Sequence, residues 1–306
     1  MSGADRASYL QGLLTNDVVA LKAGEGCYAA YLTAQGRMIA DLYVYELGDV
    51  ILLVTSGGVK DIVLAKLDQF IFSEDVQLGD VTATFAQVAA VGPDASHVVA
   101  TVVSAVTGAK LAAMPEHGSM RTEWKGQPAI IASVADTGVP GYDIFIEHTR
   151  AGEFKAALTA AGAMPLEQST AEALRIESGV PLFGVDMDGE TIPLEAGIEA
   201  RAISFTKGCY VGQEVVIRVL HRGHGRVARK LVGLSIDGKR VPSPGAAIRV
   251  GDREIGEVTS STWSPALNRP IALAYVHRDF LEPGTNVIVD GAVARVTALP
   301  FVPRHG

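Results

Sequence analysis

One of the two cysteines in the chain, Cys209, lies in the segment KGCYVGQEVVIR, two residues after Lys207. The thiolate is the reactive form of cysteine, and a neighbouring lysine lowers the pKa of a thiol. Gly208 and Gly212 have no Cβ, so they would let the main chain approach a ligand closely. The segment therefore predicts either a reactive thiol or, as for most free cysteines, a small buried apolar residue.

Two carboxylates are candidates for binding a polar ligand. Glu177 lies near the end of a helical pattern and shares a face with Ala173 and Leu174, which directs its charge toward apolar residues. A buried carboxylate needs a donor. This donor is either a structural partner such as Arg175 or a main-chain amide, or a planar heterocycle with two parallel N–H groups. Asp41, in the strand pattern MIADLYVY, is either solvated on an open face or lines a cleft.

The segment RVLHRGHGRVARK, residues 218–230, is basic and contains no acidic residue. In an acidic protein it is a local anion-attracting segment, in which Arg218 and Arg222 are candidate contacts for an anionic ligand. His221 and His224 are separated by a glycine, and no cysteine or carboxylate near them completes a metal site. We therefore expect no metal ion here.

The bulk composition limits the classes of function. The 306 residues carry a formal net charge of -8, which disfavours wholesale attraction to nucleic acid or to an anionic membrane. No apolar run reaches the ~18 residues that span a bilayer, and no secretory signal pattern is present. The widely separated Cys27 and Cys209 indicate neither a disulfide framework nor a metal site. We expect a cytoplasmic protein in which Cys27 is a buried structural residue.

The elements that must position these residues follow from the apolar periodicity. Helical patterns cover residues 5–14, 59–72, 93–106, 149–163 and 169–177, and strand patterns cover 27–33, 38–47, 50–56, 81–92, 127–134 and 142–147. Thr149 and Ser169 are the predicted N-caps of the last two helices. After Arg226, short apolar runs alternate with Gly, Pro, Asp and Asn, which is typical of a β-sandwich or barrel. The sequence thus predicts an α+β body followed by a β domain of about 80 residues.

The octapeptide KGCYVGQE, residues 207–214, resembles the YgfZ folate-binding family. The segments RIESGVPLFGVDMDGETIPLEAG, YLQGLLTND and GRMIADLYVY extend the resemblance over nearly the whole chain. That family is homologous to the T protein of the glycine cleavage system, an aminomethyltransferase. The octapeptide is specific to the YgfZ branch, whereas the other segments are shared with the wider superfamily.

The resemblance implies an α+β fold, a three-lobed clover-leaf of two interleaved α+β lobes plus a C-terminal β-barrel around a funnel that binds tetrahydrofolate. On this basis we predict a first lobe from residues 1–45 and 135–225, a second lobe from residues 46–134, and a barrel from residues 226–306.

The resemblance also assigns roles to individual residues. Glu177 takes the place of a T-protein glutamate that contacts the pterin, and Asp41 that of an aspartate near the folate nitrogens that carry one-carbon units. Cys209 marks the YgfZ branch and would supply a thiolate for a sulfur, iron or one-carbon intermediate. The predicted catalytic residues are Cys209 and Asp41. The predicted folate-binding residues are Glu177, Lys207, Tyr210, Arg218 and Arg222.

The function implied by the resemblance is that of a tetrahydrofolate-binding protein that assists assembly or repair of iron–sulfur proteins. Its partners would be folate and iron–sulfur client or assembly proteins. Two alternatives remain open. One is an aminomethyltransferase that transfers a one-carbon unit to tetrahydrofolate, which the segments GVPLFGVDMD and PLEAG favour. The other is a non-catalytic scaffold without folate.

Overall fold

The structure is a computed structural model that describes residues 1–221 and 226–303. Its α-helices are α1 (Arg6–Leu13), α2 (Lys60–Asp68), α3 (Ala95–Val102), α4 (Gly108–Ala112), α5 (Ala151–Ala160), α6 (Gln168–Glu177), α7 (Pro193–Ala196), α8 (Glu199–Ala202) and α9 (Gln213–His221). Its strands are β1 (Gly26–Leu32), β2 (Met38–Glu46), β3 (Ile51–Val54), β4 (Phe85–Val91), β5 (Ser119–Trp124), β6 (Gln127–Val134), β7 (Gly141–Glu147), β8 (Arg229–Ile236), β9 (Ala247–Val250), β10 (Arg253–Ser264), β11 (Arg269–His277), β12 (Asn286–Val289) and β13 (Ala292–Thr297). Residues 148–150 and 278–280 form short 3-10 helices.

The chain divides into two compact units. Of the described residues, the first comprises Met1–Ala29 and Leu42–Leu166, and the second comprises Ala30–Asp41 and those between 167 and 303. Strands β1, β2 and β3 form a three-stranded sheet in that order. The domain boundaries predicted from the sequence stay a prediction.

The first unit contains a four-stranded antiparallel sheet with the order β4–β7–β6–β5. Because side chains alternate across a strand, Ile131 and Ile144 face a core completed by Phe154 of α5. On the other face, Ala132 and Phe145 pack with Tyr45 of β2. The two faces therefore belong to different clusters, and both are largely apolar.

The second unit contains a closed barrel with the strand order β10–β11–β8–β13–β12–β9. Closure removes free sheet edges, and the inward-facing residues of the six strands form one apolar core. Helix α6 packs outside the barrel, where Ile176 lies against Leu231 and Tyr275. These observations confirm the predicted mixed α+β fold with a C-terminal β-barrel.

Both predicted helix caps are wrong. Helix α5 begins after Arg150, and the Thr149 hydroxyl lies in the preceding 3-10 turn, where it donates to Glu147 Oε1 at 2.6 Å. Helix α6 begins at Gln168, so Ser169 already belongs to its first turn and cannot take the cap position. In both cases the helix register differs from the predicted one by one or two residues, which side-chain type alone does not fix.

Strand β5 was not predicted. In its sequence SMRTEW the exposed Arg121 and Glu123 alternate with buried or partly buried residues. Strand β5 lies at the edge of its sheet, where it pairs with β6, and an isolated bridge joins its Glu123 to Ser104. The predicted helix over residues 93–106 is also shorter than expected, since Val103 is already extended. Within the described ranges, no helix combines the length and apolarity needed to cross a bilayer.

Candidate functional site

The octapeptide forms an irregular loop that leads into α9. The Lys207 side chain is buried, and its Nζ lies 5.1 Å from the ring centroid of Tyr210. A cation over an aromatic face is attracted by the ring quadrupole, and the attraction strengthens when the pair is desolvated. Burial raises the pKa of Tyr210 to about 12, so its hydroxyl stays protonated at neutral pH. The Lys207 side chain is therefore packed inside the loop against the Tyr210 phenol ring.

The thiol of Cys209 lies on the surface of this loop. Cys209 is exposed, whereas Cys27 in β1 is buried. The possibility that Cys209 is a small buried apolar residue is therefore wrong, while the structural prediction for Cys27 agrees with its burial. Exposure makes the sulfur of Cys209 accessible to a small molecule or a protein partner.

Gly212 packs the loop against the turn between β1 and β2. A Cβ at Gly212 would lie 2.6 Å from the Thr33 carbonyl oxygen, and the residue has φ of +86°. On the other side of the contact, a Cβ at Gly36 would lie 2.8 Å from the Val215 Cβ. The close approach that Gly212 permits is thus to the hairpin and not to a ligand. A Cβ at Gly208 would meet nothing within 4 Å.

Asp41 follows this hairpin on β2. The burial of β2 alternates, with Ala40 and Leu42 buried and Asp41 partly exposed. The start of β2 is held by the amide of Met38, which donates to the Thr191 carbonyl at 2.9 Å. The structure therefore links the octapeptide, through its contact with the hairpin, to the strand that carries Asp41.

Glu177 is the last residue of α6 and only 6% exposed. Its Oε1 accepts a hydrogen bond from the Ser264 hydroxyl and one from the Ala266 amide at 3.2 Å. Of the alternatives for its partner, a main-chain amide is correct and Arg175 is not, because Arg175 pairs with Asp186 at 2.7 Å. Among the described residues, no group donates to Glu177 Oε2. One carboxylate oxygen is therefore held in place and the other is an available acceptor.

Of the two arginines predicted to contact an anion, only Arg218 lies within the residues that the structure describes. Arg218 lies on α9 and is exposed, and its guanidinium pairs with Glu214 at 2.7 Å, one turn earlier. Arg222 and His224 lie outside the described residues. In the part of the chain that the structure describes, no group of three His, Cys, Asp or Glu side chains could hold a metal ion.

A pair of acids in the first unit, the buried Asp143 and the partly exposed Asp136, was not found from the sequence. Asp143 of β7 is 9% exposed, and burial together with the nearby Asp136 raises its pKa to about 7. The Tyr43 hydroxyl donates to Asp136 Oδ2, and burial and both carboxylates raise the pKa of Tyr45. The signal available in the sequence is an aspartate in the centre of the otherwise apolar strand YDIFI.

Two family models together match most of the chain. The GCVT N-terminal domain matches residues 1–207, and the glycine cleavage T-protein C-terminal barrel domain matches residues 229–303.

Curated proteins and a solved structure are similar over almost the whole chain. The aminomethyltransferase of Rubrobacter xylanophilus is 33% identical over 304 residues, covering 99% of this chain and 80% of that protein. The aminomethyltransferase of Streptomyces coelicolor is 32% identical over 316 residues, covering 100% of this chain and 84% of that protein. The crystal structure of glycine cleavage system aminomethyltransferase T from Bartonella henselae has a TM-score of 0.86 at 23% identity, covering 99% of this chain and 83% of that one.

Proposed function

The chain belongs to the glycine cleavage T-protein family, and we propose that it binds tetrahydrofolate and transfers a one-carbon unit to it as an aminomethyltransferase. Aminomethyltransferases of this family use tetrahydrofolate for one-carbon transfer. The curated relatives with that activity align over 99% and 100% of this chain. From the sequence alone, aminomethyl transfer is the alternative to a role in maintaining iron–sulfur proteins. The names of the curated relatives favour aminomethyl transfer.

The acceptor geometry of Glu177 carries the proposal. A pterin presents a 2-amino group next to a ring N–H, which are two parallel donors that a carboxylate binds well. Glu177 has one oxygen fixed by Ser264 and Ala266 and a second oxygen with no donor among the described residues. Oε2 can therefore accept from a donor of the heterocycle without a further cost for orienting the carboxylate, because Oε1 already holds it.

The remaining predicted residues have supporting roles in this proposal. Asp41 would approach the folate nitrogens that receive the one-carbon unit, and as an anion it would stabilise positive charge developing there. Lys207 and Tyr210 would hold the polar part of the folate through a buried ammonium and a protonated phenol. Arg218 and Arg222 would meet the anionic glutamate tail.

Calorimetric titration of the purified protein with tetrahydrofolate tests the binding step. We expect Glu177→Gln to weaken binding by at least about tenfold, because an amide can replace Oε1 toward Ser264 but presents an N–H donor in place of Oε2. Glu167→Gln, at the exposed start of the same helix, is the matched control and should bind like the native protein. Equal affinity of the Glu177→Gln variant, or no binding by the native protein, would refute the proposed role.

A reconstituted glycine cleavage assay tests the transfer step. With the partner proteins present, the native chain should release ammonia and form methylenetetrahydrofolate, and Asp41→Asn should reduce the rate while leaving folate affinity within a few fold. An inactive native protein that still binds tetrahydrofolate would refute the transferase activity but not folate binding. An intact fold with no folate affinity would identify a scaffold.

The exposed Cys209 favours a second candidate function, folate-dependent maintenance of iron–sulfur proteins in the manner of the YgfZ branch. An exposed sulfur in KGCYVGQE can reach a client or assembly protein, whereas the aminomethyl transfer described above uses no thiol of this chain. In cells lacking the protein, Cys209→Ser should then fail to restore the activity of iron–sulfur enzymes, although it folds normally. Full complementation by Cys209→Ser would exclude this second function for the thiol.

A further inference from the structure

A buried ion pair lies close to Glu177 in sequence and has no part in the proposed function so far. Arg175 Nη1 lies 2.7 Å from Asp186 Oδ2, and no part of the Asp186 side chain is exposed. Taking two charges out of water is costly, so a buried ion pair is by itself weak evidence for stability. The role of this pair is better judged by the segments that it joins.

Every donor of the Arg175 guanidinium has an acceptor. Its Nε and Nη2 donate to the Glu172 carboxylate one helical turn earlier, and its Nη1 donates to the Val180 carbonyl and to Asp186. Nη2 also donates to the Ser260 hydroxyl at 2.8 Å. An arginine side chain has five N–H groups, and these five hydrogen bonds use all of them. The guanidinium is therefore fixed in one orientation.

The Asp186 carboxylate is equally well bonded. Its Oδ2 accepts from Arg175 and from the Leu182 amide at 3.0 Å, and its Oδ1 accepts from the hydroxyls of Thr259 and Ser260. We use the name Arg175 network for Glu172, Arg175, Asp186, Thr259 and Ser260. A buried polar network whose donors and acceptors are satisfied is rigid and specifies one arrangement of the segments that it joins.

The Arg175 network attaches α6 to the strand that also holds Glu177. Arg175, Ile176 and Glu177 are consecutive in α6, and each residue advances about 100° around a helix. The buried Ile176 packs on the barrel, so Arg175 and Glu177 lie on either side of it. Arg175 reaches β10 at Ser260 and Glu177 reaches it at Ser264, about 13 Å farther along the strand. Helix α6 is thus bonded to β10 at two points.

We infer that Arg175 and Asp186 are positioning residues of the folate site. Through Ser260 they set how the last turn of α6 is rotated on β10, and they thereby hold Oε2 of Glu177 where the pterin donors meet it. The apolar contact of Ile176 is non-directional and does not fix the rotation of the helix by itself. Misplacement of a positioned group by about 1 Å costs up to about 100-fold in rate. The inference rests on the proposed binding of tetrahydrofolate by Glu177.

Calorimetric titration of two neighbouring serine variants with tetrahydrofolate tests the inference. Ser260→Ala removes the acceptor of Arg175 on β10 and leaves the ion pair between Arg175 and Asp186 in place. We expect this variant to bind about fivefold more weakly than the native protein. Ser261→Ala is the matched control, because the Ser261 hydroxyl donates to the Pro242 carbonyl at 2.6 Å, and it should bind like the native protein. Melting temperatures of both variants control for folding.

A double-mutant cycle separates positioning from a general loss of stability. If the Arg175 network acts through Glu177, Ser260→Ala should weaken binding by less than about twofold when Glu177→Gln is already present. Arg175→Lys keeps the charge beside Asp186 and loses the planar set of donors, so it should weaken binding by at least about tenfold. If Arg175→Lys does not fold, Ser260→Ala still tests the inference.

Three results would overturn the inference. One is that Ser260→Ala binds as tightly as Ser261→Ala although Glu177→Gln binds weakly, in which case the proposed role of Glu177 stands without the network. Another is equal weakening by Ser260→Ala in the native and Glu177→Gln proteins, because the network would then not act through Glu177. The third is no binding by the native protein, or native affinity of Glu177→Gln, which refutes the proposed role of Glu177 together with the inference.

Discussion

Replacing Asp143 by asparagine tests the electrostatic description of the first unit. The pKa of Asp143 is about 7 in the folded protein, against 3.8 for an unperturbed aspartate, because burial and the charge of Asp136 both disfavour its ionised form. Between these two values the folded protein binds more protons than the unfolded chain. The stability of the native protein therefore falls as pH rises through this window and reaches its low plateau above about pH 7.

The magnitude follows from the shift in pKa. One unit corresponds to about 1.4 kcal/mol, so a shift of about three units destabilises the fully ionised protein by about 4 kcal/mol. Asparagine has a similar shape and is never charged. The difference in unfolding free energy between the Asp143→Asn variant and the native protein should therefore grow by about 2 to 3 kcal/mol from pH 5 to pH 8.

Urea unfolding at pH 5, 6, 7 and 8 measures this difference. Trp124 in the first unit and Trp263 in the second provide fluorescence signals, and the change should follow Trp124. Asp68→Asn, at the exposed end of α2, is the matched control and should show no such growth. A difference that is constant with pH, or that shrinks as pH rises, would refute the reasoning. Removal of Asp136 by Asp136→Asn should lower the pKa of Asp143 and shift the window toward lower pH.

Three further predictions concern the second unit and the thiols. Gly212→Ala should lower the unfolding free energy by about 2 kcal/mol, because alanine is strained at positive φ and its Cβ would meet the Thr33 carbonyl oxygen. The control Gly208→Ala should change the unfolding free energy by less than about 0.5 kcal/mol, because a Cβ there meets no atom within 4 Å. Thermal denaturation distinguishes the two, and equal effects would contradict the proposed packing. Ser264→Ala should lower the free energy of unfolding by about 1 to 3 kcal/mol, measured by urea unfolding, because it removes a donor to the buried Glu177. An unchanged free energy of unfolding would mean that this hydrogen bond is not formed. A thiol-specific colorimetric reagent should react rapidly with Cys209 in the native protein and with the buried Cys27 only after denaturation. Rapid reaction of both thiols in the native protein would contradict the burial of Cys27.

The periodicity of the sequence predicted most of the elements, for a local physical reason. The strand runs after Arg226 alternate between turn residues and apolar segments, and the structure closes them into a barrel. The sequence analysis missed helix α9, although its residues have a helical apolar pattern. It also missed elements with weak periodicity, such as the edge strand β5 and the four-residue helices α7 and α8. Such elements are stabilised by their neighbours more than by their own pattern.

The candidate site was likewise predicted only in part from the sequence. The octapeptide and the motif around Glu177 are local sequence features, and they were sufficient to predict a relative of the T protein. They indicated the YgfZ branch first, whereas the curated relatives that match the chain are named aminomethyltransferases. Residue types alone do not specify which of the two chemistries the site performs.

By itself the sequence determined which residues carry charge, which segments form helices and strands, and to which family the chain belongs. Only the tertiary structure decided the environment of each side chain. It placed Cys209 on the surface, bound one oxygen of Glu177 to Ser264 across 87 residues of sequence, and buried Asp143 beside Asp136. The physical reason is that burial, pKa and hydrogen-bond partners depend on segments that are distant in sequence, whereas local periodicity reports only which side of an element a residue occupies.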